Sequence, residues 1–275
     1  MMKLTFTTHK PISAIYFALL QCGYEFYPLD RDEKPTECLR QFAASDSHAF
    51  FTEVKQTTCD AYPYWPRAAI LESAAFCLTD DLQSFADFDA FVQTVKQASN
   101  LTDAERTQEL WDWLAGFPRV LSVVMHSDAF AQYYAWEHAW LGEQQTVRKD
   151  DLQKLQALLS RCAETYNTPI ARVQIVQNPI KCVYSADYHI RGDCLTVVSG
   201  AFSLSNVIHE FLHTVVHPFV IAHQDEIQNS TCDFAELDPT YRTAGKLNAF
   251  EEYAVRKLTD CVIGGEYPDL QTFLE

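Results

Sequence analysis

Three observations predict a mostly helical α+β chain. Asp and Pro punctuate a series of helix-like stretches through the first 165 residues. Short β-branched or alternating runs appear only near the N-terminus and after residue 168. Two apolar-striped segments carrying His and Glu follow the last of those runs. Composition changes at Asn167-Thr168-Pro169, which divides the chain into a helical, aromatic-rich region over 1–167 and a mixed region over 168–275. With 275 residues, 48% hydrophobic and 13% aromatic, the chain can bury a large core as one domain or two closely packed ones.

Leu4-Thr5-Phe6-Thr7 reads as a short strand, and Pro11 opens a helix over the apolar run Ile12 to Leu20. Leu19-Leu20-Gln21-Cys22 has the outline of a lipoprotein cleavage site. The run is short, however, Tyr16 interrupts it, and Gln suits the position before the cysteine poorly, so a helix is expected. Further helices are expected at about 35–45, 66–78, 80–98, 102–116, 128–141 and 149–166, with Gly116 and Pro118 as stop signals. Tyr133-Tyr134-Ala135-Trp136-Glu137-His138-Ala139-Trp140 is the most aromatic segment. Its rings either line a peptide groove or, as such stripes more often do, form core at helical spacing, and Glu137 and His138 are a candidate polar pair.

Beyond Pro169, Arg172-Val173-Gln174-Ile175-Val176 alternates as a half-buried strand does. Cys182-Val183-Tyr184-Ser185 is a second strand candidate, and Leu195-Thr196-Val197-Val198, closed by Ser199-Gly200, is a third. Ser203 or Ser205 is placed to cap the next helix. Leu204, Val207, Ile208, Phe211, Leu212, Val215 and Val216 make that helix apolar around much of its circumference, hence buried, and Pro218 is expected to end it. A last amphipathic helix carries apolar residues at 247, 250, 254, 258 and 262.

The buried helix contains His209-Glu210-Phe211-Leu212-His213, an H-E-x-x-H pattern. Residues four apart share a helix face, so two imidazoles point the same way and can grip one Zn2+, with the glutamate beside them as base for a metal-activated water. The bland alternative is a pair of ordinary core histidines. Three polar groups on a buried helix are costly to leave unpaired, though, and a shared metal resolves that cost. The pattern is that of a zinc metallopeptidase, a hydrolase in which the metal polarises the scissile carbonyl and Glu210 moves the proton. A metzincin would place a third histidine six residues on, but that residue is Phe219. His217, two turns from His209, and His223 are weak ligand candidates. Glu251 and Glu252 compete for the third place: Glu251 lies nearer the apolar stripe, while Glu252 precedes Arg256 by four residues and gains an orienting partner. Glu252 is favoured. Tyr188, His189, His223 and Tyr241 are chemically suited to stabilise an oxyanion, and the sequence ranks none of them.

His209-Glu210-Phe211-Leu212-His213, then Val216-His217-Pro218, and later Glu252-Tyr253-Ala254-Val255-Arg256 together resemble the DUF4932 group of bacterial zincin-like proteins. That family pairs an H-E-F-x-H helix with a later E-x-x-V-R helix, and the resemblance spans roughly the last third of the chain. It implies a gluzincin-type, zincin-like catalytic unit: a small sheet, the H-E-x-x-H helix and a ligand helix, with Glu252 preferred over Glu251. One departure is His217, where the pattern has Asn; it touches the groups around the ligands.

A formal net charge of −16 disfavours nucleic acid and anionic membrane surfaces and leaves neutral or basic peptides and proteins as substrates. No segment approaches the length of a membrane span. Nine scattered cysteines without a C-x-x-C pair suit reduced thiols in a cytoplasmic protein. Oligomeric state is open on this charge and pattern. The competing function class is a catalytically silent zincin-fold binding or regulatory protein with a structural metal. A fourth protein ligand such as His217 would favour it; an intact Glu210 speaks against it.

Overall fold

The computed structural model describes residues 2–24, 46–52, 68–78, 112, 114–231, 234, 236–237, 239–243 and 245–274. Strands β1 (Lys3–Thr7), β2 (Arg172–Gln177), β3 (Ala186–Arg191) and β4 (Cys194–Ser199) make one mixed sheet in the order β1-β2-β4-β3. The first three strands in that order are parallel, and β3 runs antiparallel to β4 on the edge. Gly192, at φ 59, turns β3 into β4, a conformation a side chain would strain.

Register sorts the side chains by face. Phe6, Ile175, Val197 and Tyr188 are successive cross-strand partners and form one row. The flanking rows, ending at Asp187 and His189, must project from the opposite face, because side chains alternate along a strand. One face is covered by α1 (Lys10–Gln21), α2 (Asp46–Thr52), α3 (Ala68–Phe76), α4 (Phe117–Met125) and part of α5 (Asp128–Val147). Their core takes in Val176 and Val198 of the sheet. The other face packs on α6 (Lys149–Tyr166), α7 (Leu204–Ala222), α8 (Gln224–Asn229) and α10 (Lys246–Gly264), with the short α9 (Pro239–Thr243) against α10. Phe6, Ile175, Leu195 and Val197 enter that second core. A small mixed sheet between helical layers is the α+β, mostly helical class expected. The composition boundary falls between α6 and β2, yet β1 from the first region completes the sheet of the second.

Where sequence and structure differ, the causes are local. Pro218 does not end α7, which runs on to Ala222. Pro218 cannot donate to the Thr214 carbonyl, at a typical cost of about 3 kcal/mol, but burial of Val215, Val216 and Val220 on both sides holds the helix together. The stop expected at Gly116 and Pro118 falls where 115–116 form a turn, and Pro118 then sits in the first turn of α4, where a missing N–H costs nothing. Residues 182–185 form a turn, with Ser185 N–H donating to the Cys182 carbonyl at 3.0 Å, and the strand begins only at Ala186. That turn crosses Gly200 so closely that a Cβ there would stand 2.2 Å from the Cys182 carbonyl oxygen. Helices α2 and α4 carried no clear sequence signal, whereas the expected 35–45 and 80–98 lie outside the described residues, as does most of 102–116.

The aromatic segment is core. Phe130 and Tyr133 are fully buried and pack on Phe17, at ring-centroid distances of 5.6 and 5.2 Å. Glu137 and His138 do not pair, since neighbours on a helix diverge: His138 is exposed, and buried Glu137 accepts from Asn178 Nδ2 at 3.1 Å. Burial pushes the Glu137 carboxyl up to about 8 against the hydrogen bonds of Ser13, Asn178 and Tyr133. A folded-state value above the ordinary 4.5 means that this group's stabilising contribution is full below about pH 4.5 and is lost as pH rises to about 8. Glu137→Gln is therefore expected to flatten the decline of the urea midpoint over that window; an unchanged slope would exclude Glu137 as its source.

Candidate metal centre

Ser203 caps α7, its hydroxyl accepting from Asn206 N–H at 3.4 Å. Val207, Ile208, Phe211, Leu212, Val215 and Val216 are buried, and this large apolar face locks the helix's rotation. His209 and His213 are thereby left on the strip facing α10. Their rings meet edge to face, centroids 5.0 Å apart. Glu252, 6% exposed, comes from α10 to complete a trio whose donor atoms all lie within 4.8 Å of one another. Glu252 Oε2 stands 3.6 Å from His209 Nε2 and 3.9 Å from His213 Nε2. These gaps are too long for hydrogen bonds. They are close to the edge of about 3.4 Å that a tetrahedron of ~2.0–2.1 Å metal–ligand bonds requires.

Two of the three donors, Glu252 and His213, are oriented by a second contact. Arg256 Nε donates to Glu252 Oε1 at 2.6 Å, the i,i+4 pairing anticipated, and so turns Oε2 toward the histidines. His213 Nδ1–H donates to Glu251 Oε1 at 2.9 Å, which turns Nε2 toward Glu252. Burial would raise the Glu251 carboxyl, but hydrogen bonds from His213 and His217 outweigh it and hold it down to about 2. Burial, then His213 and Arg256, hold His209 down to about 3, so its imidazole is neutral, as a metal ligand must be.

The competing candidates separate cleanly. Glu251, expected to aim inward, instead buttresses His213 and accepts from His217 Nδ1 at 2.8 Å. His217 is 57% exposed at its side chain and stands outside the trio. His223 pairs with Glu226 and Gln271 on the surface. Glu210 follows His209 on the same helix. Burial, with Asp187 and Glu252 adding to it and Lys181 opposing, raises its carboxyl well above the usual range. Carboxylates thus crowd the centre, and the nearby cations are already committed: Arg256 to Glu252, and Lys181 to Glu72 and Asp187. Two imidazoles and a surplus of carboxylate fit a divalent cation, whose charge would relieve that crowding.

Of the four residues considered for an oxyanion, Tyr188 stacks on His213, with centroids 5.3 Å apart and planes 14° apart. Tyr241 lies under the Arg256 guanidinium at 5.2 Å. His189 faces the opposite side of the sheet, bound to Glu72 at 2.7 Å and Ser73 at 3.0 Å. Sequence reasoning missed the buried cluster to which His189 belongs. Lys181 Nζ donates to Tyr16 Oη at 2.7 Å, to Glu72 Oε1 at 3.1 Å, and to Asp187 Oδ2. Its one trace in the sequence is Glu72, the lone charged residue within the mostly apolar Ala68–Phe76.

Among the described residues, Cys162, Cys182, Cys194 and Cys261 are free thiols, and no described cysteine joins the trio. No described helix is long and apolar enough to cross a membrane. No protein-family model, curated protein or solved structure matches the chain. The functional reading therefore rests on the trio, the two side chains that orient it, Arg256 and Glu251, and the glutamate beside it.

Proposed function

We propose that the chain is a zinc-dependent metallopeptidase of zincin-like build, with His209, His213 and Glu252 as metal ligands and Glu210 as general base. The observation that carries this reading is the convergence of His209 Nε2, His213 Nε2 and Glu252 Oε2, with Glu210 next to the first ligand on the same helix. When bound, Zn2+ supplies Lewis acidity, lowering the pKa of a water and polarising a peptide carbonyl. Glu210 takes a proton from the attacking water and returns it to the departing amine as the C–N bond breaks. Arg256 and Glu251 hold the ligand side chains in place throughout. No described strand pairs with the outer side of edge strand β3, a position suited to main-chain pairing with an extended peptide. The resemblance of these short motifs to those of the DUF4932 group points to the same assignment. A structural-metal module would call for a fourth protein ligand, and His217 is instead exposed and bound to Glu251. This favours hydrolysis over a silent binding role.

Metal analysis of three variants tests the ligand set. His213→Ala and Glu252→Ala are expected to lose stoichiometric zinc. Glu251→Ala should retain the ion with affinity reduced about 10- to 100-fold, as for other groups that orient a ligand. Undiminished zinc in His213→Ala or Glu252→Ala would remove that residue from the centre.

A further inference from the structure

The cluster around Lys181 sits on the sheet face opposite the candidate metal centre. Glu72 is fully buried, and the Lys181 side chain is 3% exposed. Placing such charges in a protein interior is expensive, and apolar residues of similar volume commonly serve stability as well or better. What the cluster provides is location. Glu72 takes His189 with Oε2 and Lys181 with Oε1, while Lys181 in turn takes Asp187. Asp187 and His189 flank Tyr188 in β3, and alternation sends the Tyr188 ring to the other face, onto His213. An edge strand is held by a ladder on one side only; β3 pairs with β4 and with no other described strand. Two tethers to one carboxylate, on either side of one tyrosine, supply the restraint that the missing ladder would have given.

We propose that Glu72 is a positioning residue for the metal centre: by anchoring Asp187 (through Lys181) and His189, it fixes edge strand β3 and holds Tyr188 against the His213 ring. The first helical region thus has a part in the site without touching it. The inference rests on the assignment of His213 as a ligand only for its effect on the metal; the ring contact itself is independent of any ion.

Glu72→Gln in the full chain keeps the side-chain volume and removes the charge. In metal-free protein, the expected result is loss of the nuclear Overhauser contact between the Tyr188 and His213 rings and faster amide exchange across 186–191. Zinc affinity, measured by competition with a chromogenic chelator well below the unfolding temperature, should fall about tenfold. Asp187→Asn cuts the other tether and should show the same ring and exchange changes; it carries the test should Glu72→Gln fail to fold. A native ring contact with wild-type exchange over 186–191 in the folded variant overturns the proposal. So does a lowered unfolding temperature with unchanged zinc affinity, the signature of a merely structural role. If the wild-type chain binds no zinc, the peptidase reading falls, while ring contact and exchange still decide the role of Glu72.

Discussion

Glu210→Gln is expected to lower peptide turnover by about 10²–10⁴ while zinc content stays stoichiometric. The range is what a positioned proton acceptor typically contributes. Glutamine preserves length and shape, so the helix and the ligands on either side of position 210 keep their packing. It cannot take a proton from water, and that is the one function withdrawn. The substitution also removes a carboxylate that Asp187 and Glu252 repel, so the metal site should not suffer from added strain. Kinetics on a denatured protein substrate, paired with metal analysis of the same preparation, separate the two effects. Wild-type turnover in the variant would remove Glu210 from the chemistry; lost zinc would mean that the glutamate holds the ion.

The largest stability effect belongs to Lys181. Lys181→Ala strips the ammonium from Glu72, Tyr16 and Asp187 together and leaves a fully buried carboxylate without its counter-charge. Removing one partner of such a pair costs about 3–5 kcal/mol. Chemical denaturation should show that loss, and a double variant replacing Glu72 as well by an apolar residue should recover much of it. The pH dependence follows from the same group. Burial would raise the Glu72 carboxyl, but Lys181, His189 and Tyr16 hold it down to about 2, below the ordinary 4.5. Its contribution is therefore present above about pH 4.5 and is lost as pH falls toward 2. Without Lys181 the acid limb should move to higher pH. A loss under about 1 kcal/mol, with an unmoved acid limb, would show that the cluster contributes little.

Much of the centre was legible because its helices obey simple periodicity. The α7 stripe, the Ser203 cap and the four-residue spacing of His209 and His213 need no tertiary information. Glu252 over Glu251 was harder. The stripe read at 247, 250, 254 and 258 leans toward Glu251, but Ala249, Val255 and Thr259 are buried too, and they widen the covered face to Glu252. Strand β3 was misplaced for a different reason. Its inner-face positions include Asp187 and His189 where a strand normally shows apolar residues, so the alternation that reveals β2 is absent from it. Pro218 misled because propensity is local, whereas the packing of Val216 and Val220 is not. The Glu72–Lys181 pairing joins residues far apart in the chain, and no spacing rule reaches that distance.

The parallel pairing of β1 with β2 sets Lys3 opposite Arg172. During synthesis the opening segment leaves the ribosome long before its neighbour exists, and it must wait, uncommitted, until the chain past residue 177 has emerged. Closing so long a loop is slow. Severing the polypeptide near residue 167 would accordingly yield two pieces that each lack something: an orphan ribbon on the first, and an uncovered, aggregation-prone border on the second.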